Sequence, residues 1–125
     1  MSNLNVMFSK KGDHWETPKY IYDKYMNNGF IDPCPLHSKI DNLITEWKVA
    51  KYFINPPYSD IKSWVNKVIH ESEKGSEIHL LVPARTDTKW FHTLLNYGIQ
   101  ITFIKGRLRF SEKGSAPFPS VLIKL

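Results

Sequence analysis

Tyr52-Phe53-Ile54-Asn55-Pro56-Pro57-Tyr58-Ser59-Asp60-Ile61 reads as a strand, a rigid loop and a helix start in ten residues. Three apolar residues read as a short buried strand, and two prolines stop it, because proline donates no ladder hydrogen bond. Asp60 is expected to cap the helix that follows. That helix carries Ile61, Trp64, Val65, Val68 and Ile69 at the i, i+3, i+4, i+7, i+8 spacing of one buried face. Gly75 stands where glycine commonly ends a helix.

The alternation continues in both directions. Downstream, residues 78–82 read as a strand ended by Pro83, and Thr86 or Asp87 is expected to cap a helix carrying Trp90, Phe91, Leu94 and Leu95 and closed by Gly98. Residues 99–104 read as a strand. Lys105-Gly106 turns into a further strand at 107–110, a loop holds Gly114, Pro117 and Pro119, and residues 120–125 form the last strand. Upstream, Thr17 caps a helix with Pro18 in its first position, running through Tyr25 to Asn27-Asn28-Gly29. Phe30-Ile31 reads as a short strand entering Asp32-Pro33-Cys34-Pro35, while Leu43, Ile44 and Trp47 read either as one helical turn or as a covering loop. Strands alternating with helices give an α/β fold with a mostly parallel sheet and an antiparallel C-terminal edge. In such folds ligands sit at the carboxyl ends of the strands. Asp32-Pro33-Cys34, Asn55 to Tyr58 and Pro83-Ala84-Arg85 all fall there.

Composition bounds the rest. The chain has 125 residues, 42% hydrophobic and 14% aromatic, which fits one folded domain over 1–125 with about the first 12 residues flexible. One cysteine, Cys34, excludes an intrachain disulfide. No apolar run is long enough for a membrane span and no signal-peptide core opens the chain, so a cytoplasmic protein is expected. Seventeen basic against twelve acidic side chains give a net charge of +5, which is compatible with a nucleic-acid partner.

Asn55-Pro56-Pro57-Tyr58 carries the chemistry. An amide oxygen (Asn55) and a backbone carbonyl (Pro56) in a proline-stiffened loop suit the two hydrogens of one amino group, and Tyr58 offers a flat face for a ring. That set suits methyl transfer to an exocyclic amine. The amine lone pair is delocalised into the base, and two acceptors localise and aim it, so alignment matters more than acid–base power. A base in a duplex must be flipped out to be reached. Arg85, Lys89, Lys105, Arg107 and Arg109 are candidate phosphate contacts, with Arg107 and Arg109 on one strand face by period two. The other reading of that pair is a solvated basic face. Trp64, Trp90 and Phe91 read as packing, and His70, His79 and His92 as structural or exposed.

The sequence resembles the phage DNA N-6-adenine methyltransferase family, nearly end to end and in order. The matching segments are Trp15-Glu16-Thr17-Pro18, Ile31-Asp32-Pro33-Cys34, Asn55-Pro56-Pro57-Tyr58, Trp64-Val65, the long block from Leu81 to His92, Ile104-Lys105-Gly106-Arg107-Leu108-Arg109-Phe110 and Ala116-Pro117-Phe118-Pro119-Ser120. The resemblance implies a minimal Rossmann-like methyltransferase sandwich that uses S-adenosylmethionine and acts on DNA. It implies that Asn55, Pro56, Pro57 and Tyr58 are catalytic and that Trp15, Thr17, Pro18, Asp32, Pro33 and Cys34 hold the cofactor, with Asp41 or Glu46 as the candidate ribose ligand. Host-cell cytoplasm is the implied location if the protein is phage-encoded, and a homodimer stays open.

Two rivals bear on the same residues. Cys34-Pro35-Leu36-His37 stands where wider adenine methyltransferases carry a Gly-x-Gly turn, which motivates a non-catalytic relative that binds cofactor, DNA or a host protein. His14, Cys34 and His37, with Glu16 as proton carrier, form a pattern similar to that of the zinc nucleobase deaminases. That pattern leaves the Asn55 loop and the Arg85 block unexplained, and no metal is expected.

Overall fold

The computed structural model describes residues 15–35, 41–110 and 114–125. Among them three α-helices, α1 (Lys19–Asn27), α2 (Ile61–Glu73) and α3 (Lys89–Tyr97), flank a four-stranded sheet of β1 (Lys51–Ile54), β2 (Glu77–Pro83), β3 (Gln100–Phe103) and β4 (Ser120–Lys124). The spatial order is β1-β2-β4-β3. β1 pairs parallel with β2, whereas β4 runs antiparallel to both of its neighbours. β1, β2 and β3 therefore share one direction and β4 alone opposes them, so two of the three pairings are antiparallel and the sheet is mixed rather than mostly parallel as expected.

The expected C-terminal edge is thus corrected: the antiparallel strand is interior and β3 forms the edge. Burial explains the choice. Val121 and Ile123 are fully buried and Leu122 is half-buried against the opposite face, whereas β3 leaves Gln100, Thr102 and Phe103 exposed. A strand apolar on both faces needs neighbours and cover on every side. The expected strands at 30–31 and 107–110 shrink to isolated bridges, Ile31 parallel to Tyr52 and Arg109 antiparallel to Ser115.

Strand alternation divides the core. Tyr52, Ile54, Ile78, Leu80, Val82, Val121 and Ile123 face α2 and α3. Phe53 and Leu81 face the other way, onto Leu108, Phe110, Ala116, Phe118 and the apolar side of α1. Trp47 is buried in the first cluster, its indole N–H donating to the Asn42 carbonyl at 2.9 Å, so residues 42–47 are a covering loop.

Three helix starts differ from expectation. Pro18 occupies the cap of α1, and Thr17 turns its hydroxyl elsewhere. Asp60 stands at the cap of α2 without a side-chain capping bond, after a single 3-10 turn at Tyr58–Asp60. Thr88, rather than Thr86 or Asp87, caps α3 by accepting from the Phe91 amide at 3.3 Å. A cap contributes about 1 kcal/mol, while each fully buried large apolar side chain contributes about 1.5–3 kcal/mol. Ile61, Trp64, Val65 and Val68 are all buried, so packing sets α2 without a cap. Its inward stripe continues to Glu71 rather than Ile69, which is only half-buried. Glu71 is neutralised by Lys67 at 2.7 Å and Lys74 at 3.0 Å.

Candidate active site

The parallel strands end where β4 begins. Ile54 lies opposite Leu80, Pro83 opposite Ser120, and Phe103 opposite Val121. The segments after Ile31, β1, β2 and β3 and the segment before β4 therefore meet at one edge. Asp32-Pro33-Cys34, Asn55 to Tyr58 and Arg85, expected to converge there, do so, and Phe118-Pro119 joins them.

Asn55 is 4% exposed at the end of β1. Its amide nitrogen donates to the Trp15 carbonyl and to the Thr17 hydroxyl, the latter at 3.0 Å. A carbonyl can only accept, so this contact decides which end of the amide is nitrogen. The amide oxygen accepts from the Tyr58 hydroxyl at 3.2 Å. No hydrogen bond to the Pro56 carbonyl occurs among the described residues. Pro56 is buried and Pro57, half-buried, leads into the 3-10 turn, its carbonyl accepting from the Asp60 amide at 3.1 Å.

Aromatic side chains wall this loop. The Tyr58 ring meets Phe118 edge-on at 5.4 Å, and Trp15 meets Phe118 at 5.7 Å and Phe110 at 5.6 Å. Burial pushes the Tyr58 phenol well above its ordinary value, so it remains a hydrogen-bond donor. The Arg85 guanidinium lies over the Phe118 ring at 5.8 Å. Phe118 thus touches three residues that sequence reasoning assigned to three different roles.

The Asp32 turn is built locally. The Asp32 carboxylate accepts from the Cys34 amide at 2.8 Å, and the Tyr22 hydroxyl bonds to it from α1. Burial raises its proton affinity more than these two bonds lower it. Pro33 is buried, and its carbonyl accepts from Asn42 at 2.6 Å. Burial, with Asp32 and Asp60 adding, pushes the Cys34 thiol up to about 12. Of the two candidate ribose ligands, Glu46 pairs with Lys74 at 2.7 Å, and Asp41 holds its own turn by accepting from the Leu43 amide at 3.0 Å. His14 and His37 of the zinc reading, and the whole of the expected flexible start, lie outside the described residues.

Arg85, Lys89, Lys105, Arg107 and Arg109 are all exposed. Arg107 and Arg109 alternate with buried Leu108 and Phe110, so the period-two reading holds. Arg107 reaches the Ala116 carbonyl at 3.5 Å.

A family model described as DNA N-6-adenine-methyltransferase (Dam) matches residues 5–117. The chain belongs to the Dam family. A DNA N-6-adenine-methyltransferase of Haemophilus phage HP1 (strain HP1c1) is 28% identical over 119 residues, 83% of this chain and 68% of that protein. A second, from Escherichia phage T1, is 28% identical over 110 residues, 77% of this chain and 46% of that protein. The chain thus spans about two thirds of the first relative and under half of the second. No solved structure gives a significant match.

Two residues at this edge carry no signal in the periodicity of the sequence. Phe118 was visible as part of the Ala116 to Ser120 block, but no spacing rule tied it to Tyr58. Nothing in the spacing of Tyr22 pairs it with Asp32. Trp64 and Phe91 are buried as expected, whereas Trp90 is half-buried beside a surface groove. His79 is structural: Tyr25 bonds its Nδ1 at 2.8 Å and Glu77 its Nε2 at 2.9 Å.

Proposed function

We propose that this protein is a DNA adenine-N6 methyltransferase that uses S-adenosylmethionine and acts on an unstacked adenine, within a minimal Rossmann-like methyltransferase fold. The observation that carries the reading is the buried Asn55 amide, anchored by its nitrogen to Trp15 and Thr17, so that its oxygen is held at the strand end beside Pro56. In this reading the amide oxygen and the Pro56 carbonyl accept the two amino hydrogens of adenine. An amide oxygen accepts two hydrogen bonds, so the amino group would share it with the Tyr58 hydroxyl or displace it. The Tyr58 ring, set by its edge contact with Phe118, would stack on the base. Most of the rate would come from alignment, which is worth about 7–11 kcal/mol where reacting atoms are well placed.

The residues present fit the cofactor. Asp32 is a half-buried carboxylate at the sheet edge, suited to a cationic ammonium, and Trp15, whose carbonyl accepts from Asn55, would offer its indole to an adenine ring. S-adenosylmethionine supplies an activated methyl group on a cationic sulfur. The chain's part is to hold the amine and exclude water. Because the relatives are phage proteins, we place the activity in the cytoplasm of a bacterial host.

The test is transfer of labelled methyl from S-adenosylmethionine to unmethylated DNA by wild type and Asn55→Ala. Label in N6-methyladenine with wild type, cut about 100-fold or more in the variant, is the expected result. Equal labelling by the two would remove Asn55 from the mechanism. Cofactor binding by calorimetry without any transfer would favour a non-catalytic relative.

A further inference from the structure

An open groove runs between α2 and α3, lined by Lys62, Val65, Asn66, Lys89, Trp90 and Thr93. Its floor is apolar: Val65 is buried, and Trp90 is half-buried against the core. Its rim is polar, with Lys62, Asn66, Lys89 and Thr93 all exposed. Neither lysine has an ion-pair partner among the described residues. The acids that precede the two helices, Asp60 and Asp87, do not line the groove.

Position ties this groove to the sheet edge. Lys62 stands four residues after Tyr58, and Lys89 four residues after Arg85. Both lie in the first turns of helices that leave that edge. Neither helix has an acidic residue in its first turn. A lysine there opposes the helix dipole at a cost of about 0.3–1 kcal/mol, so local stability does not account for the pair. Two cations around an apolar floor complement an anion that carries a hydrophobic part.

We propose that this groove is a second DNA contact. It takes a phosphodiester of the substrate strand, away from the target adenine, between Lys62 and Lys89, with the adjoining sugar against Trp90. The inference rests on the DNA reading above and extends it to a surface outside the Asn55 loop.

The experiment measures binding of a labelled unmethylated duplex to the full chain over a salt series. It compares wild type, the groove pair Lys62→Ala/Lys89→Ala, and a control pair Lys48→Ala/Lys124→Ala, which removes the same charge from exposed lysines elsewhere. Losing one neutralised phosphate lowers the slope of log K against log salt by about 0.9. The groove pair is expected to lose that slope and about tenfold in affinity, while the control keeps the wild-type slope. Trp90→Leu is expected to weaken binding with the slope unchanged. Wild-type slope and affinity in the groove pair, or an equal loss in the control, would overturn the groove while leaving methyl transfer intact. Wild type that binds no duplex at low salt overturns the DNA reading and the groove with it. All four lysines are exposed, so unchanged thermal unfolding is the check on folding.

Discussion

The Asn55 side-chain amide donates to the Thr17 hydroxyl at 3.0 Å, across 38 residues of sequence. Thr17 stands just before α1, in a position that suits helix capping, yet its oxygen serves the strand-end loop instead. We expect Thr17→Val, which keeps the shape and removes the acceptor, to cut the rate of methyl transfer about 10- to 100-fold by loosening the amide. KM for DNA should change little, and Thr17→Ser should restore most of the rate. A fall in DNA affinity with kcat unchanged would show that Thr17 does not act through Asn55.

Glu71 is completely buried, and its closest partner, Lys67, is only 10% exposed. Burial alone would raise its pKa, but the Lys67 and Lys74 ammonium groups outweigh this and hold it below its ordinary 4.5. The ion pair therefore stabilises the fold fully above that value, and the contribution is lost as pH falls through the lowered folded value. Glu71→Gln should cost about 1.5–3 kcal/mol near neutral pH, because it removes a charged hydrogen-bond partner from Lys67, which keeps only the Thr45 carbonyl and the Trp47 ring. Thermal unfolding at pH 7 and at pH 3 checks both parts: the gap between wild type and variant should shrink in acid.

Cys34 should resist alkylation. The thiolate is the reactive form, and a thiol pushed up to about 12 is almost wholly protonated at pH 8. Iodoacetamide should label the unfolded chain rapidly and the folded chain at least about 100-fold more slowly. Equal rates would show that the Asp32 turn is open in solution.

Ser120 is 1% exposed, and its hydroxyl has no hydrogen-bond partner among the described residues. A buried hydroxyl left unpaired costs about 1–3 kcal/mol. Ser120→Ala is therefore expected to raise the denaturant midpoint by an amount equivalent to about 1 kcal/mol, and a lower midpoint would show that the hydroxyl is satisfied.

Local signals were readable where one element carried the whole pattern. The face of α2 from Ile61 to Val68, the strand at Tyr52 to Ile54 and the alternation from Arg107 to Phe110 all follow from the periods of helix and strand. Boundaries moved where a side chain found a distant partner. Asp60 and Thr17 look like caps by residue type, but neither caps its helix, and Thr17 bonds Asn55 instead. Glu71 extends the buried stripe of α2, where Lys67 and Lys74 offset the burial of its charge.

The alternating α/β class, the proline-stiffened Asn55 loop and the family are legible in the chain alone, since each rests on residues close together or on an ordered pattern. Only the tertiary structure placed β4 inside the sheet, brought Phe118 against Tyr58, Trp15 and Arg85, and oriented the Asn55 amide. Those outcomes depend on burial shared between segments far apart in the chain. A strand's neighbours are chosen by which faces must be covered, and an amide's orientation by which groups, here Trp15 and Thr17, can only accept or can do so at no cost.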